Sequence, residues 1–379
     1  MVSEADLDKH YLYNFLLQKT REIKEAGHGI SMVHMTKEKM EKLIVPLPPL
    51  AEQHRIVAKV DALMALCDQL EAARAEREAA RDRFTLSTLA KLNTPDPETF
   101  GQDARFALAH LVPLTTDPGQ IKQLRKTILN LAVRGKLVDR DDADLAIAPV
   151  LEAIAVPAAI RRKPRSRPMP GDGPFDIPGS WIWTKLGQII TYGPQNGLSP
   201  KSVSDTSAPK AITLTATTSG WFNPAHFKHV DTRLEPESEF WLQDGDLLFQ
   251  RGNTREYVGM AAIYRGPPVT FIYPDLMIKV RVAESLCLPF VHLCAVAPYA
   301  RGYMAEHATG AQETMPKINQ STLVALPIPL PPVAEQHRIV AKVDELMALC
   351  DELEASITTG EQARSRLLEA VLHSALEPA

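Results

Sequence analysis

A segment of 27 residues occurs twice in this chain, and the spacing of its two copies constrains the fold more than any other feature. The first copy, from Pro46 to Ala72, is PLPPLAEQHRIVAKVDALMALCDQLEA, and the second, from Pro329 to Ala355, is PLPPVAEQHRIVAKVDELMALCDELEA. They are identical at 24 of 27 positions and lie 283 residues apart. Solenoid repeats recur about every 20–50 residues. One element is therefore used twice here, with a large module between its copies.

Each copy predicts an extended start followed by a long helix. The clustered prolines hold the chain extended and exclude helix, so the first helix is expected to begin near Ala51. Apolar residues then follow at alternating steps of four and three, which is typical of a coiled-coil seam. The seam residues are Ile56, Val60, Leu63, Cys67 and Leu70 in copy one, and Ile339, Val343, Leu346, Cys350 and Leu353 in copy two. We predict that helices over 50–92 and 333–376 pair through these seams.

The module between the copies predicts a short helix, a linker and a strand-rich domain. Asp117 followed by Pro118 is typical of a helix start, and Gly135 is typical of a helix end. Residues 156–174 are rich in proline and glycine, which predicts a linker. From Phe175 onward, short β-branched and apolar runs alternate with turn residues, which predicts strands. The linker carries five basic residues, which either contact phosphate or form a solvated tether: Arg161, Arg162, Lys163, Arg165 and Arg167.

Composition narrows the class of protein. No apolar run reaches the roughly 18 residues that span a bilayer, and the N-terminal residues do not have the pattern of a secretory signal. The four cysteines form no CxxC pair, so we expect no structural zinc site. We also expect a location in the reducing cytoplasm. The net charge of −4 argues against a chain that binds DNA non-specifically by itself, because such proteins are usually basic.

The repeat and the module resemble the specificity (S) subunit of Type I restriction–modification complexes, an HsdS-like protein. The resemblance rests on PLPP followed by AEQHRIV and a long helix, and on IKQLRKTILNLAVRGKLV ahead of the strand-rich domain. It also rests on the motifs GDLLFQRGNTREYVG and TGAQETMPKINQSTLVALPIPLPP within that domain. The resemblance implies an α+β fold, in which a mixed, strand-rich target-recognition domain is flanked by two long antiparallel coiled-coil helices.

The resemblance also implies a division of the chain. The segment AGHGISMVHMTKEKMEKLIVPLPP parallels TGAQETMPKINQSTLVALPIPLPP. We therefore expect the chain to open inside the tail of a first recognition domain that is truncated at its N-terminal side. The expected parts are that remnant (1–45), the first Pro-rich segment with its long helix (46–94), short helices and the basic linker (95–174), a complete recognition domain (175–328) and the second Pro-rich segment with its helix (329–379).

The function implied by the resemblance is recognition without catalysis. The chain is expected to bind double-stranded DNA and to direct methylation and restriction by methyltransferase (M) and restriction (R) subunits, away from any membrane. The complex would be an adenine-N6 DNA methyltransferase and an ATP-dependent endonuclease. AdoMet, ATP and Mg²⁺ are then expected in the partner subunits and no cofactor in this chain, whose sequence has no GxxxxGK[ST] phosphate loop.

Two questions about the assembly stay open at the level of sequence. With one complete recognition domain, the chain either pairs with itself through its near-identical seams or is completed by a separately encoded S fragment. The alternative function is that of an inactive or scaffold-type coiled-coil remnant that recognises no DNA.

The residues that would contact bases are predicted from side-chain chemistry. Arg and Lys are suited to guanine, and Asn and Gln to adenine. Each candidate is alternatively a surface polar group or a turn former, as Asn253 after Gly252 illustrates. The candidates in loops are Gln195, Asn196, Lys201, Lys210, Arg251, Asn253, Arg255, Gln312, Lys317, Asn319 and Gln320.

Overall fold

The computed structural model describes residues 6–19, 41, 43–96, 98–110, 114–157, 173–310 and 315–376. The chain divides into two compact units, 1–84 and 85–379. The α-helices are Lys9–Gln18 (α1), Leu50–Asn93 (α2), Phe100–Ala109 (α3), Pro118–Val133 (α4), Ala148–Ala153 (α5), Leu288–Val296 (α6), Pro298–His307 (α7), Gln320–Val324 (α8) and Val333–Leu376 (α9). No helix in these ranges is long and apolar enough to cross a membrane.

Within the described residues, the strands lie in the second unit and form three small sheets. Their bounds are Ile182–Lys185 (β1), Ile190–Asn196 (β2), Lys210–Ile212 (β3), Phe227–His229 (β4), Leu247–Gln250 (β5), Ala261–Ile263 (β6), Phe271–Ile272 (β7), Met277–Val282 (β8) and Pro327–Leu330 (β9). The sheet orders are β2-β8-β5-β6, β4-β3-β7 and β1-β9. All neighbours are antiparallel except β3 and β7, which are parallel. The predicted α+β class with a mixed, strand-rich domain is confirmed.

Alternation along β8 divides the domain into two cores. Ile278, Val280 and Val282 face a large core that also takes in side chains of α4, α6 and α9. Met277 lies on the opposite face and packs in a smaller core shared with the β4-β3-β7 sheet, through Ile212 and Phe271 among others. Because successive residues of a strand point to opposite faces, both faces of the four-stranded sheet are covered.

The three predicted helices form where their start and stop signals lie. Both long helices have 44 residues, Leu50–Asn93 and Val333–Leu376, close to the predicted 50–92 and 333–376. Asp117 caps α4 by accepting a hydrogen bond from the backbone N–H of Gly119, with Pro118 in the first turn. The chain leaves α4 through Gly135, whose φ of 66° is in the left-handed region that favours glycine.

The glutamine of the repeat has the same role in both copies. Gln53 accepts a hydrogen bond from the N–H of Asp8, the N-cap of α1, and donates to the carbonyl of Pro48. Gln336 accepts from the N–H of Cys287, the N-cap of α6, and donates to the carbonyl of Pro331. Both side chains are fully buried. Each carboxamide thus ties a Pro-rich turn to the start of a helix that precedes it in the chain.

The seam of the second copy contributes to the core of its own unit. Ile339, Val343 and Cys350 are buried in the large core of their own unit, which includes Ile121 and Ile128 of α4. Leu346 and Leu353 are half-buried against the same core. The periodicity identified the buried face of α9 correctly. Side chains of α4 and of the recognition domain pack against much of this face.

The seam of the first copy is less covered. Ile56 and Val60 are half-buried, whereas Leu63, Cys67 and Leu70 are exposed. The pairing of the two long helices, and its antiparallel direction, therefore remains a prediction. The outer face of α9 also carries exposed leucines, Leu349, Leu367 and Leu368.

Some predicted features lie outside the described residues. These are the basic linker residues Arg161, Arg162, Lys163, Arg165 and Arg167, the candidate Gln312, and residues 20–40 of the expected domain remnant.

Candidate nucleic-acid interface

One end of the four-stranded sheet gathers polar side chains from separate parts of the chain. Because β8 lies antiparallel between β2 and β5, the last residues of β2 and β5 lie beside its first residues. The register places Asn196 opposite Ile278 and Gln250 opposite Met277. The chain leaving β2 and the chain leaving β5 therefore emerge at the same end of the sheet.

A third segment joins them through backbone hydrogen bonds. The N–H of Ile318 donates to the carbonyl of Arg251 at 2.8 Å, and the N–H of Asn253 donates to the carbonyl of Pro316 at 3.4 Å. Gly252 and Lys317 form an isolated antiparallel bridge. The loop after β5 and the segment before α8 are thus held as one surface.

Side chains extend this surface across to β2. The amide nitrogen of Gln320 donates to the amide oxygen of Asn196 at 3.1 Å, although 124 residues separate them in the chain. We call the surface formed by Asn196, Arg251, Asn253, Lys317 and Gln320 the recognition face. Lys317 and Gln320 are exposed and the other three are half-buried. Its two cations and three carboxamides suit contacts with phosphates and base edges.

Two predicted candidates at this end have local structural roles. Asn253 accepts a hydrogen bond from the N–H of Thr254 and donates to the buried Gln250 at 2.5 Å, so its carboxamide holds the turn. Asn319 caps α8 by accepting from the N–H of Thr322 and from the hydroxyl of Ser321. Asn253 therefore fits the turn-former alternative, while Asn319 positions the helix that carries Gln320.

Two other candidates, Lys201 and Lys210, lie at the three-stranded sheet, and a third, Arg255, lies next to the recognition face in sequence. Lys201 precedes a bridge between Ser202 and Val230, beside the three-stranded sheet. Lys210 begins β3 of that sheet, with its ammonium 4.9 Å from the ring centre of Phe227. Arg255 is exposed in the turn that follows Asn253.

Gln195 is held in a network of hydrogen bonds. The hydroxyls of Tyr192 and Tyr273 both donate to its Oε1, each at 2.8 Å. Its Nε2 lies 3.5 Å from a carboxylate oxygen of Glu239. Burial, together with Glu239, raises the pKa of Tyr192 to about 12, so this hydroxyl keeps its proton at neutral pH. Because the two hydroxyls occupy Oε1 of Gln195, this side chain can offer DNA only the N–H groups of Nε2. It does not present the acceptor and donor together that are needed to bind adenine in a bidentate way.

Buried charges support the two tyrosines. The ammonium of Lys279, fully buried, lies 5.3 and 5.1 Å from the ring centres of Tyr192 and Tyr273. It lies 3.6 Å from Asp246, which also accepts from Nε of Arg281 at 2.6 Å. Burial lowers the pKa of Lys279 and the neighbouring carboxylate of Asp246 opposes this. Two cations and two tyrosines thus form a rigid base beneath Gln195.

A glycine lets the two strands approach here. Gly193 has a φ of 84°, and a Cβ on it would lie 2.4 Å from the carbonyl oxygen of Lys279. The pairing of β2 with β8 shifts register between Tyr192 and Gln195. This irregularity places Tyr192 and Gln195 in contact, although they are three residues apart.

Sequence reasoning did not identify this network. The available signal was the strand MIKVRV, Met277–Val282, in which Lys279 and Arg281 alternate with apolar residues. Two cations on one face of a strand that is otherwise apolar require buried partners. The partners themselves, Asp246 and the tyrosines, depend on strand register. Among the described residues no group of histidine, cysteine and acidic side chains could hold a metal ion.

Comparisons with known proteins identify the family of this chain. A family model described as the Type I restriction modification DNA specificity domain matches residues 2–77 and 178–360. The specificity subunit of the Type I restriction enzyme EcoEI from Escherichia coli is 26% identical over 349 residues, which are 89% of this chain and 59% of that protein. The specificity subunit of EcoAI, also from Escherichia coli, is 27% identical over 345 residues, or 88% and 58% of the two chains.

A solved structure shares the fold. It is described as the structural basis underlying complex assembly and conformational transition of the type I R-M system, and it matches with a TM-score of 0.54 at 20% identity. The match covers 99% of this chain and 72% of that one. The chain spans about three-fifths of the length of the curated relatives it matches. The two matched segments, one at each copy of the repeat, make up more than half of its residues, and the chain belongs to the family of Type I restriction modification DNA specificity domains.

Proposed function

We propose that this chain is a sequence-specific DNA-recognition subunit of a Type I restriction–modification complex. The observation that carries the proposal is the recognition face, where three chain segments present two cations and the carboxamides of Asn196 and Gln320 at one sheet end. The family relationship supports it, because the relatives are specificity subunits. The recognition face supplies base and phosphate contacts, and Arg251 and Lys317 are its charged members.

The proposed role is recognition, with chemistry supplied by partner subunits. The M subunits would contribute AdoMet and adenine-N6 methylation, and the R subunits would contribute ATP- and Mg²⁺-dependent cleavage. The chain itself would bind no cofactor. Its net charge of −4 supports dependence on these partners, because phosphate contacts by cationic side chains provide most of the affinity for DNA.

The recognition domain would read one half of a split target. Two half-sites need two such domains, and we propose another copy of this chain or a separately encoded S fragment as a partner that brings a second one. Pairing of two copies would give two-fold symmetry and an inverted-repeat target. Sedimentation analysis of the purified chain, alone and with M subunits, distinguishes the two assemblies.

An electrophoretic mobility shift assay tests the function. The full chain is titrated against a random-sequence duplex pool, with and without the M subunit of its system. We expect the M subunit to strengthen binding to DNA markedly. We expect Lys317→Ala to weaken binding and to lower the slope of log affinity against log salt concentration by the equivalent of about one phosphate contact. The matched control is Lys185→Ala, an exposed lysine on β1 outside the recognition face.

Two outcomes would contradict the proposal. If neither the chain nor its complex with the M subunit retards DNA at low salt, the chain is a scaffold without DNA recognition. If the retardation is the same for Lys317→Ala, Arg251→Ala and the wild type, the DNA contact lies elsewhere on the molecule.

A further inference from the structure

An exposed carboxylate lies beside Gln195 at the end of β2. The Nε2 of Gln195 is 3.5 Å from a carboxylate oxygen of Glu239, which is exposed. The hydroxyls of Tyr192 and Tyr273 both donate to Oε1 of Gln195, each at 2.8 Å. An ionised carboxylate only accepts hydrogen bonds, so it is the amino group of Gln195 that faces Glu239. The two side chains therefore place a hydrogen-bond donor and a charged acceptor side by side.

A buried cation holds the backbone of Glu239. The ammonium of Lys279, which is fully buried, donates to the carbonyl of Glu239 and, at 3.2 Å, to the carbonyl of Trp241. The indole nitrogen of Trp241 donates to the carbonyl of Glu235 at 3.0 Å, and Trp241 is 7% exposed. Hydrogen bonds thus fasten the segment 235–241 at three backbone carbonyls. The exposed carboxylate of Glu239 projects from a backbone that is held in place.

The cations nearest to Glu239 are paired with another carboxylate. Asp246 lies 3.6 Å from the ammonium of Lys279 and accepts from Nε of Arg281 at 2.6 Å. Within the ranges that the structure describes, no cationic side-chain nitrogen lies within 4.0 Å of the Glu239 carboxylate. A carboxylate can accept about four hydrogen bonds. Glu239 therefore keeps most of its acceptor capacity for a ligand.

This carboxylate lies at the same end of the sheet as the recognition face. Gln195 and Asn196 are the last two residues of β2, and Asn196 accepts a hydrogen bond from Gln320. Successive side chains of a strand point to opposite sides, so the two contacts lie on either side of one strand end. The major groove of DNA is about 12 Å wide and admits two strands. It can therefore receive both sides of this strand end.

A carboxylate distinguishes bases by the group that they present in the major groove. Cytosine and adenine present an exocyclic amine, whereas guanine and thymine present a carbonyl oxygen. A carboxylate accepts a hydrogen bond from the amine, but it leaves a carbonyl oxygen without a donor and repels it. The phosphates of DNA repel the carboxylate as well. Such a group favours binding only where an amine satisfies it.

We propose that Glu239 is a specificity-determining residue, which accepts a hydrogen bond from the exocyclic amine of one base of the target, cytosine or adenine, and rejects guanine and thymine at that position. The inference rests on the proposed function of the chain in DNA recognition. Gln195 donates, through the Nε2 proton that is not directed at Glu239, to an acceptor atom that adjoins this amine. The acidic residue thus contributes selectivity and not overall affinity.

Selection of bound sites from a random duplex pool locates the position. The full chain in complex with the M subunit of its system is compared with Glu239→Gln, whose carboxamide both accepts and donates. We expect one position at which the wild type retains only cytosine or only adenine on one strand, while Glu239→Gln retains all four bases. The retained base identifies which amine is bound. The matched control is Glu237→Gln, an exposed glutamate in the same segment, and it is expected to keep the wild-type sequence.

Binding to defined duplexes gives the direction of the effect. Exchange of the amino base for a keto base is expected to raise the Kd of the wild-type complex at least about tenfold. For Glu239→Gln we expect a difference below about threefold, because its affinity for the keto duplex rises. A merely structural role of Glu239 would lower the affinity for both duplexes.

Removal of the amine alone tests the contact itself. The probe duplex carries purine in place of adenine, or pyrimidin-2-one in place of cytosine. This change is expected to weaken the wild-type complex about fivefold or more and the Glu239→Ala complex less than about twofold.

Three results would overturn the proposal. The first is an enriched sequence that Glu239→Gln leaves unchanged. The second is equal relaxation of the same position by Glu237→Gln, since the charge of the segment and not a contact would then act. The third is equal weakening of the wild-type and Glu239→Ala complexes when the amine is removed. The first result contradicts this inference alone, whereas a wild-type complex that enriches no sequence contradicts the proposed function together with it.

Discussion

Single side chains in this protein connect segments that are distant in sequence. Gln336 joins the turn at Pro331 to the start of α6, and Gln53 makes the equivalent contact in copy one. Gln195 is fixed by two tyrosine hydroxyls. A buried amide that satisfies two backbone groups is costly to replace, because its partners are left without hydrogen bonds.

This cost is testable at Gln336. Gln336→Leu keeps most of the side-chain volume but leaves the N–H of Cys287 and the carbonyl of Pro331 unpaired. We expect the free energy of unfolding to fall by about 2–4 kcal/mol, from two unsatisfied buried groups. Urea denaturation measures it, with the exposed neighbour substitution His337→Ala as control. A loss no larger than that of the control would show that the carboxamide is not needed.

The tyrosines beneath Gln195 predict an effect on base preference. Tyr273→Phe removes one of the two donors to Oε1 and allows the carboxamide to rotate. We expect a changed or broadened preference at one base position, with overall affinity in the M-subunit complex little altered. The control is Tyr264→Phe, which removes a buried hydroxyl that donates to Pro267 elsewhere in the domain. Identical preferences for wild type and Tyr273→Phe would exclude this positioning role.

At the scale of elements, prediction succeeded where the signal was local. The cap at Asp117, the prolines before α2 and α9 and the spacing of apolar residues indicated where the helices lie. The partner of each face was not predictable, because periodicity identifies an apolar face but not what covers it. The convergence of Asn196 with Gln320 and the burial of Lys279 depend on strand register and on the bulge in β2, which have no local sequence signal.

The contact between α9 and the loop after α4 predicts that the free energy of unfolding depends on pH. The hydrogen bonds from Arg338 hold the pKa of Asp144 below its ordinary value of 3.8. A lowered carboxyl pKa contributes stability that is present above the ordinary value and is lost as the pH falls through the lowered one. Between about pH 5 and pH 2, the free energy of unfolding should therefore fall less steeply for Asp144→Asn than for the wild type.

The matched control for this experiment is Asp142→Asn, at an exposed position in the same loop. Its stability profile is expected to follow the wild type. Parallel profiles for the wild type and Asp144→Asn, measured by urea denaturation at each pH, would contradict a coupling of this ion pair to folding.

At the scale of the whole molecule, two copies of one helical element flank a recognition domain whose own core extends to α9. Since α9 packs in the core of the recognition domain and α4 covers its seam, this domain is anchored rigidly to the second helix. The first helix carries a nearly identical repeat sequence. Under the proposed function, the recognition face determines which DNA the chain binds.

The most direct measurement of the central claim is selection of bound sites from a random duplex pool. The full chain is used in complex with the M subunit of its system, followed by sequencing of the bound DNA. The account predicts enrichment of one defined base sequence, and loss of preference at individual positions for Arg251→Ala and Gln320→Ala while phosphate-driven binding persists. A pool that retains random sequence after selection by the wild-type complex, or an enriched sequence unchanged by both substitutions, would contradict it.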